Sequence, residues 1–205
     1  MPAPAVLDVF YPIVPDTGWA RRLVPLGIRT VQLRFKGTDA REIRREIAES
    51  LELCIAHGCQ LIVNDHWQLA IETGCDFVHL GQEDLAEADL AAIRKAGLKL
   101  GVSTHDGAEL QTALDANPEY VALGPVYPTI LKKMKWRPQG LDRLADWRQR
   151  VPGLPLVAIG GLNPERLPGV FAAGADSAAV VTDITLNPDP EARTREWIAA
   201  TAQWR

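Results

Sequence analysis

Three stretches, TGCDFVHLG (residues 73–81), ANPEYVALG (116–124) and AGADSAAVV (173–181), share one order of parts. Each runs from a helix end through small or turn residues and an acid into a short apolar strand. That repeated helix–loop–strand junction sets the period of the chain. Working outward from it, apolar runs recur at Leu7–Phe10, Thr30–Leu33, Leu61–Val63, Phe77–Leu80, Leu100–Val102, Tyr120–Leu123, Leu156–Ile159 and Ala178–Val181, eight in all. Most are continuous apolar segments, as expected of parallel strands buried on both faces. Helical patterns lie between them. REIRREIAESLELCIAHG, with Thr38 or Asp39 as N-cap and Gly58 as stop, is one. AEADLAAIRKAG, GAELQTALDA and PERLPGVFAAG are others. Strand–helix alternation through eight strands predicts an α/β fold, a compact (β/α)8 TIM barrel occupying residues 1–205 as one domain. An open doubly wound sheet is the alternative, disfavoured because no G-x-G-x-x-G follows the first strand.

Composition bounds what such a domain does. The 205 residues are 47% hydrophobic and 23% charged, an ordinary globular balance. A net charge of −4 argues against nonspecific binding to nucleic acid. No apolar run is long enough to span a membrane, and the start, MPAPAVLDVFYPIVP, lacks the basic and apolar regions of a signal peptide. Cys54, Cys59 and Cys75 fit no zinc spacing and read as buried free thiols in a reducing cytoplasm. A homo-oligomer is left open as the assembly.

VQLRFKG, residues 31–37, places Gln32, Arg34 and Lys36 at alternate positions. On a strand they share one face and span about 13 Å at a rise of about 3.3 Å per residue. On a half-buried antiparallel strand that face would be solvent. In a barrel it climbs from the interior to the C-terminal rim, where active sites lie. A rising ladder of amide, guanidinium and ammonium then suits an anion, phosphate above all.

The neighbouring strand ends carry acids. LIVNDHW leaves Asn64 and Asp65 after the third strand, and FVHLGQED leaves Gln82, Glu83 and Asp84 after the fourth. Two carboxylates facing an anion site would repel phosphate unless a cation intervened, and Mg²⁺, a hard ion held by one or two carboxylates and substrate oxygens, is the natural bridge. Two structural alternatives stand beside this. Asp84 with Glu87 resembles a capping box, and Asp65 could cap the next helix.

Farther round the rim, LGVSTHDG supplies Ser103 as a donor to a substrate oxygen and His105 as a candidate acid or base. Thr129 follows the sixth strand, Gly160–Gly161 the seventh, and Val181–Thr182 the eighth. A glycine pair lets backbone N–H groups approach an anion, and loops 7 and 8 of barrels form a recurrent phosphate cup. PTILKKMKWRPQG (128–140) reads either as a solvated loop or as a lid carrying Lys132, Lys133, Lys135 and Arg137 over bound phosphate. The sixth strand, YVALG, has no lysine, which argues against a Schiff-base aldolase. Two anion-binding ends result, suited to two phosphorylated groups.

The ordered set QLRFK, ND, HLGQED, GVSTH, GPVYPT, AIGG and VVTDI resembles the thiamine phosphate synthase family over nearly the whole chain. The resemblance implies a barrel that joins a hydroxymethylpyrimidine pyrophosphate to a thiazole phosphate, releasing pyrophosphate. It implies that Gln32, Arg34, Lys36, Asn64, Ser103 and Lys132 hold the pyrimidine substrate. Asp65 and Asp84 would hold Mg²⁺, and Thr129, Gly161, Val181 and Thr182 the thiazole phosphate. The implied reaction is dissociative, with no side-chain nucleophile. Some positions depart from the family pattern. His66 stands where Arg is usual, Leu131 replaces a threonine, and the eighth strand ends in Thr182–Asp183 rather than Ser-Ala. Asp183 beside a phosphate cup is unfavourable unless it turns away or pairs with a cation. The alternatives are a thiazole tautomerase on the same barrel, using His105 and no metal, or a non-catalytic barrel that binds a thiamine precursor.

Overall fold

A computed structural model describes residues 7–129 and 137–205. Eight parallel strands close on themselves in sequence order: β1 (Phe10–Val14), β2 (Thr30–Leu33), β3 (Gln60–Asn64), β4 (Phe77–Leu80), β5 (Lys99–Thr104), β6 (Tyr120–Leu123), β7 (Leu156–Ile159) and β8 (Ser177–Val180). The expected (β/α)8 barrel is the fold. Four of the expected strands, β2, β4, β6 and β7, have the anticipated limits, and β3, β5 and β8 shift by a residue or two. The first strand moves most, from the expected Leu7–Phe10 to Phe10–Val14. Pro12 within it forfeits a ladder donor. The strand nevertheless runs through it, since Tyr11 and Ile13 on either side fill the interior.

Strand periodicity divides the core in two. Tyr11, Ile13, Ile62, Phe77, Tyr120, Ala122, Val157 and Ala179 face inward and pack on one another. Val14, Val31, Leu33, Val63, Val78, Leu80, Val121 and Leu123 face outward onto the helices. Helix Ala40–His57 begins and ends where the sequence indicates. The Asp39 carboxylate accepts from the Arg41 N–H, and Gly58 takes the left-handed conformation that a side chain would strain. The stretch AEADLAAIRKAG (86–97), expected as one helix, instead holds the end of helix Gln82–Glu87 and then a separate helix, Leu90–Lys95, because Asp89 caps the second through the Ala92 N–H. PERLPGVFAAG likewise splits into a 3₁₀ turn, Pro164–Arg166, and a short helix, Leu167–Ala172. The three cysteines are buried free thiols, as expected. No helix among the described residues is long and apolar enough to cross a membrane.

One glycine sets the shape of the interior. A Cβ on Gly101 of β5 would overlap ring carbons of Tyr120 on β6. Gly101 is thus the gap into which the Tyr120 ring fits. Gly101→Ala is expected to destabilise the barrel by about 1–3 kcal/mol through overpacking. The midpoint of urea unfolding reads that loss, and an unchanged midpoint would show that Tyr120 has room to move.

Candidate active site

At the C-terminal rim, β2 stops at Leu33, so Arg34 and Lys36 are not strand residues as the alternation suggested. Only the Arg34 N–H continues the ladder, donating to the Val14 carbonyl at 2.8 Å. Beyond that point the flanking strands offer no further rungs. Pro15 has no N–H, and Asp65 turns the chain after β3 with φ 67°. Freed from the sheet, Lys36 swings across to Asp65 and donates to its Oδ2 at 2.6 Å. The His66 ring nitrogen Nε2 lies 3.3 Å from the Phe35 carbonyl, tying the same arm to the loop after β3. The Arg34 side chain makes no ion pair or hydrogen bond among the described residues.

Neither carboxylate is spent on a helix cap. The N-cap of Trp67–Thr73 is His66, with no side-chain cap bond, and the N-cap of Gln82–Glu87 is Gly81. Asp84 instead faces Asp65. Burial raises the Asp84 pKa, and the charge of Asp65 and a hydrogen bond between the two carboxyls raise it further, with Lys36 opposing. A left-handed aspartate, held by its own N–H donating to the His79 carbonyl at 3.0 Å, is the sort of backbone outlier found at binding sites. Two mutually repelling carboxylates beside Lys36 suit a hard divalent ion that takes its remaining ligands from water and substrate. Among the described residues no cluster of three or more potential ligands exists, so a metal here has few protein donors.

Below the rim runs a buried column of polar groups that the sequence did not disclose. Gln32 Nε2 donates to Tyr11 Oη at 2.6 Å. Tyr11 Oη meets Tyr120 Oη at 2.8 Å. Tyr120 Oη reaches His79 Nδ1 at 2.7 Å, and His79 Nε2 reaches Ser103 Oγ at 2.8 Å. Burial pushes the His79 pKa down to about 4, with Asp65 opposing and Arg34 assisting, so the ring is neutral at neutral pH. Burial also raises both tyrosines, keeping their protons on. With Gln32 donating into Tyr11, only one order gives every proton an acceptor. Tyr11 donates to Tyr120, Tyr120 to His79 Nδ1, and His79 Nε2–H to Ser103. The Ser103 hydroxyl proton is then left for a ligand. Asn64, 6% exposed, makes no side-chain hydrogen bond among the described residues, so its amide is also uncommitted. His105 Nδ1 lies 2.7 Å from Glu109 Oε2, and the His105 carbonyl accepts from Gln139 Nε2 at 3.1 Å.

The second end forms between the loops after β6, β7 and β8. Gly160 and Gly161 have φ 98° and 66°, open to glycine. A Cβ on Gly160 would come within 2.6 Å of Pro125, and one on Gly161 within 2.8 Å of Tyr127 Cβ. The pair therefore lets the segment leading to Thr129 press against the loop after β7. The Val126 and Tyr127 N–H groups bond there to the Ile159 and Gly160 carbonyls at 2.9 and 3.0 Å. A cavity of about 230 Å³ opens beside Gly161 and Thr182. Val181 immediately precedes the short turn Thr182–Thr185. Asp183, an apparent liability here, is neutralised. It accepts two bonds from Arg193, at 2.8 and 3.0 Å, and one from Trp197 Nε1 at 2.7 Å. Lys132, Leu131 and the rest of the expected lid, 130–136, lie outside the described residues.

Thus the rim is that of a barrel enzyme, with Lys36 beside a pair of carboxylates on one side and a cavity bounded by Gly161 and Thr182 on the other. The model of the thiamine monophosphate synthase family matches residues 11–184. A thiamine-phosphate synthase of Rhizobium etli is 67% identical over 97% of this chain and 98% of its own length. One from Neisseria meningitidis serogroup A is 48% identical over 89% of each. Among solved structures, a thiamine phosphate pyrophosphorylase from Pyrococcus furiosus superposes with a TM-score of 0.84, at 25% identity over 97% of this chain and 96% of its own. The chain belongs to the thiamine monophosphate synthase family, and with it to the transferases of thiamine biosynthesis. The relatives favour that activity over the tautomerase and the non-catalytic barrel.

Proposed function

We propose that the barrel joins 4-amino-2-methyl-5-hydroxymethylpyrimidine pyrophosphate to a thiazole phosphate, its carboxylated form included, releasing pyrophosphate, and that the residues assembled at its rim divide that work between two ends. The observation that carries the residue assignment is the meeting of Lys36, Asp65 and Asp84 above the Gln32–Ser103 column. The pyrimidine sits over Gln32 and Asn64, with its pyrophosphate toward Arg34, Lys36 and Ser103. Lys132 of the loop after β6 would add a further cation. Mg²⁺ held by Asp65 and Asp84 would neutralise charge on the pyrophosphate oxygens. The bond from the pyrimidine methylene to oxygen breaks, and pyrophosphate departs with the electron pair. Arg34 and Lys36 stabilise the growing negative charge, and the Ser103 hydroxyl donates to a departing oxygen, the electrostatic contribution that dominates such reactions. Meanwhile the thiazole nitrogen captures the methylene cation, positioned by its phosphate in the cup of Thr129, Gly160, Gly161, Val181 and Thr182. A cytoplasmic site of action accords with these substrates.

Purified protein given both phosphorylated substrates is expected to form thiamine phosphate with Mg²⁺ and to stop on adding EDTA. Undiminished coupling in EDTA would remove the metal assignment. Isomerisation of the thiazole without coupling would replace the synthase by the tautomerase.

A further inference from the structure

The cup after β7 and β8 has a cation that the motifs do not include. Arg166, in the turn Pro164–Arg166, lines the same cavity as Gly161 and Thr182. Its Nη1 donates to the Gly161 carbonyl, and its guanidinium lies 4.4 Å from the centre of the Tyr127 ring. The Asn163 side chain fixes where that turn starts by accepting from the Arg166 N–H at 3.1 Å. The guanidinium is therefore held between a carbonyl and an aromatic face, in one orientation. One side-chain donor is in use among the described residues, of the five an arginine carries.

Charge bookkeeping round the cavity singles out this residue. Arg193, the other nearby guanidinium, is consumed by carboxylates: Asp183 at 2.8 Å, Glu196 at 2.7 Å and Glu165 at 3.7 Å. Asp183 lines the cavity and is cancelled by that pairing. Arg166 makes no ion pair among the described residues. The cavity thus keeps one uncompensated positive charge, next to a glycine-bounded backbone turn. Backbone N–H groups carry only partial charges, so a dianion in this cavity calls for a full positive charge beside them. We infer that Arg166 binds the phosphate of the thiazole substrate and sets the preference for the phosphorylated thiazole over its alcohol. This inference rests on the placement of the thiazole phosphate in the cup.

A charge-removing pair, Arg166→Ala and Arg166→Gln, separates binding from scaffolding, because glutamine retains a donor for the Gly161 carbonyl. In both variants KM for thiazole phosphate is expected to rise about 10- to 100-fold, the scale of one lost charge-assisted bond. KM for the pyrimidine pyrophosphate is expected to stay put. The ratio of kcat/KM for thiazole phosphate to that for the thiazole alcohol should fall by the same factor, and Arg166→Lys should restore part of it. Calorimetric titration of the resting protein with thiazole phosphate gives the same comparison without turnover. An unchanged ratio in the glutamine variant, with phosphate and alcohol weakened alike, would overturn the inference in favour of a loop staple. Wild-type protein that binds no thiazole phosphate would instead overturn the placement on which it rests.

Discussion

Asp84→Asn is expected to cut coupling by at least about 100-fold at saturating substrates, the scale of losing one electrostatic element at a leaving group. The folded protein should keep its melting temperature or gain slightly. The two halves of this result have one origin. Asp84 lies against Asp65, and burial together with that neighbour raises its pKa. In the empty site the second charge is unfavourable; with the proposed cation and pyrophosphate in place it would serve as a ligand. Asparagine removes the repulsion and most of the metal affinity together. Steady-state rates across a Mg²⁺ titration, alongside thermal melts followed by circular dichroism, test both halves. Full activity in the variant would end the metal assignment. A large fall in melting temperature would show that the pair supports the fold instead.

Tyr120→Phe is expected to have the largest effect on stability, about 2–5 kcal/mol, from deleting one oxygen. The phenylalanine ring can keep the packing against Phe77 at 5.6 Å and the stack on His79 at 5.5 Å. What disappears is the shared partner of two buried groups: the Tyr11 hydroxyl proton loses its acceptor, its oxygen keeping the bond from Gln32, and His79 Nδ1 loses its donor, at about 1–3 kcal/mol each. Coupling should also fall, by about 10-fold on the scale of a single neutral hydrogen bond, because His79 loses the bond that fixes its tautomer under Ser103. Urea unfolding and single-turnover kinetics measure the two losses. A change below about 0.5 kcal/mol would mean that the column is not a cooperative network.

Much of this molecule is legible in its sequence, and the illegible parts share a cause. Continuous apolar runs such as Tyr120–Leu123 and Leu156–Ile159 mark strands because nothing polar interrupts a segment buried on both faces. Rim residues such as Asp65 and Gly160 stand directly after strands, and Ser103, expected after the fifth strand, is the penultimate residue of β5, where a barrel concentrates its chemistry. Tyr11, His79 and Tyr120 escape notice because each lies inside an apolar strand and reads as packing. Their partners are 109 and 41 residues away in sequence, so no local pattern announces the bonds. Arg166 hides in a helical pattern that the structure breaks at that residue. The end of β2 at Leu33 is likewise decided by neighbours, Pro15 and the turn at Asp65, rather than by VQLRFKG itself.

The pairing of Asp183 with Arg193 and Trp197 joins the closing helix, Pro190–Thr201, to the rim. That helix is therefore an electrostatic counterweight as well as a lagging stave of the barrel. A chain shortened ahead of residue 193 would keep all eight strands yet leave a bare carboxylate on the cavity lined by Gly161 and Thr182. Any tag, fusion or nick that loosens this helix bears on Asp183, 10 residues before Arg193, and should be judged by turnover before solubility.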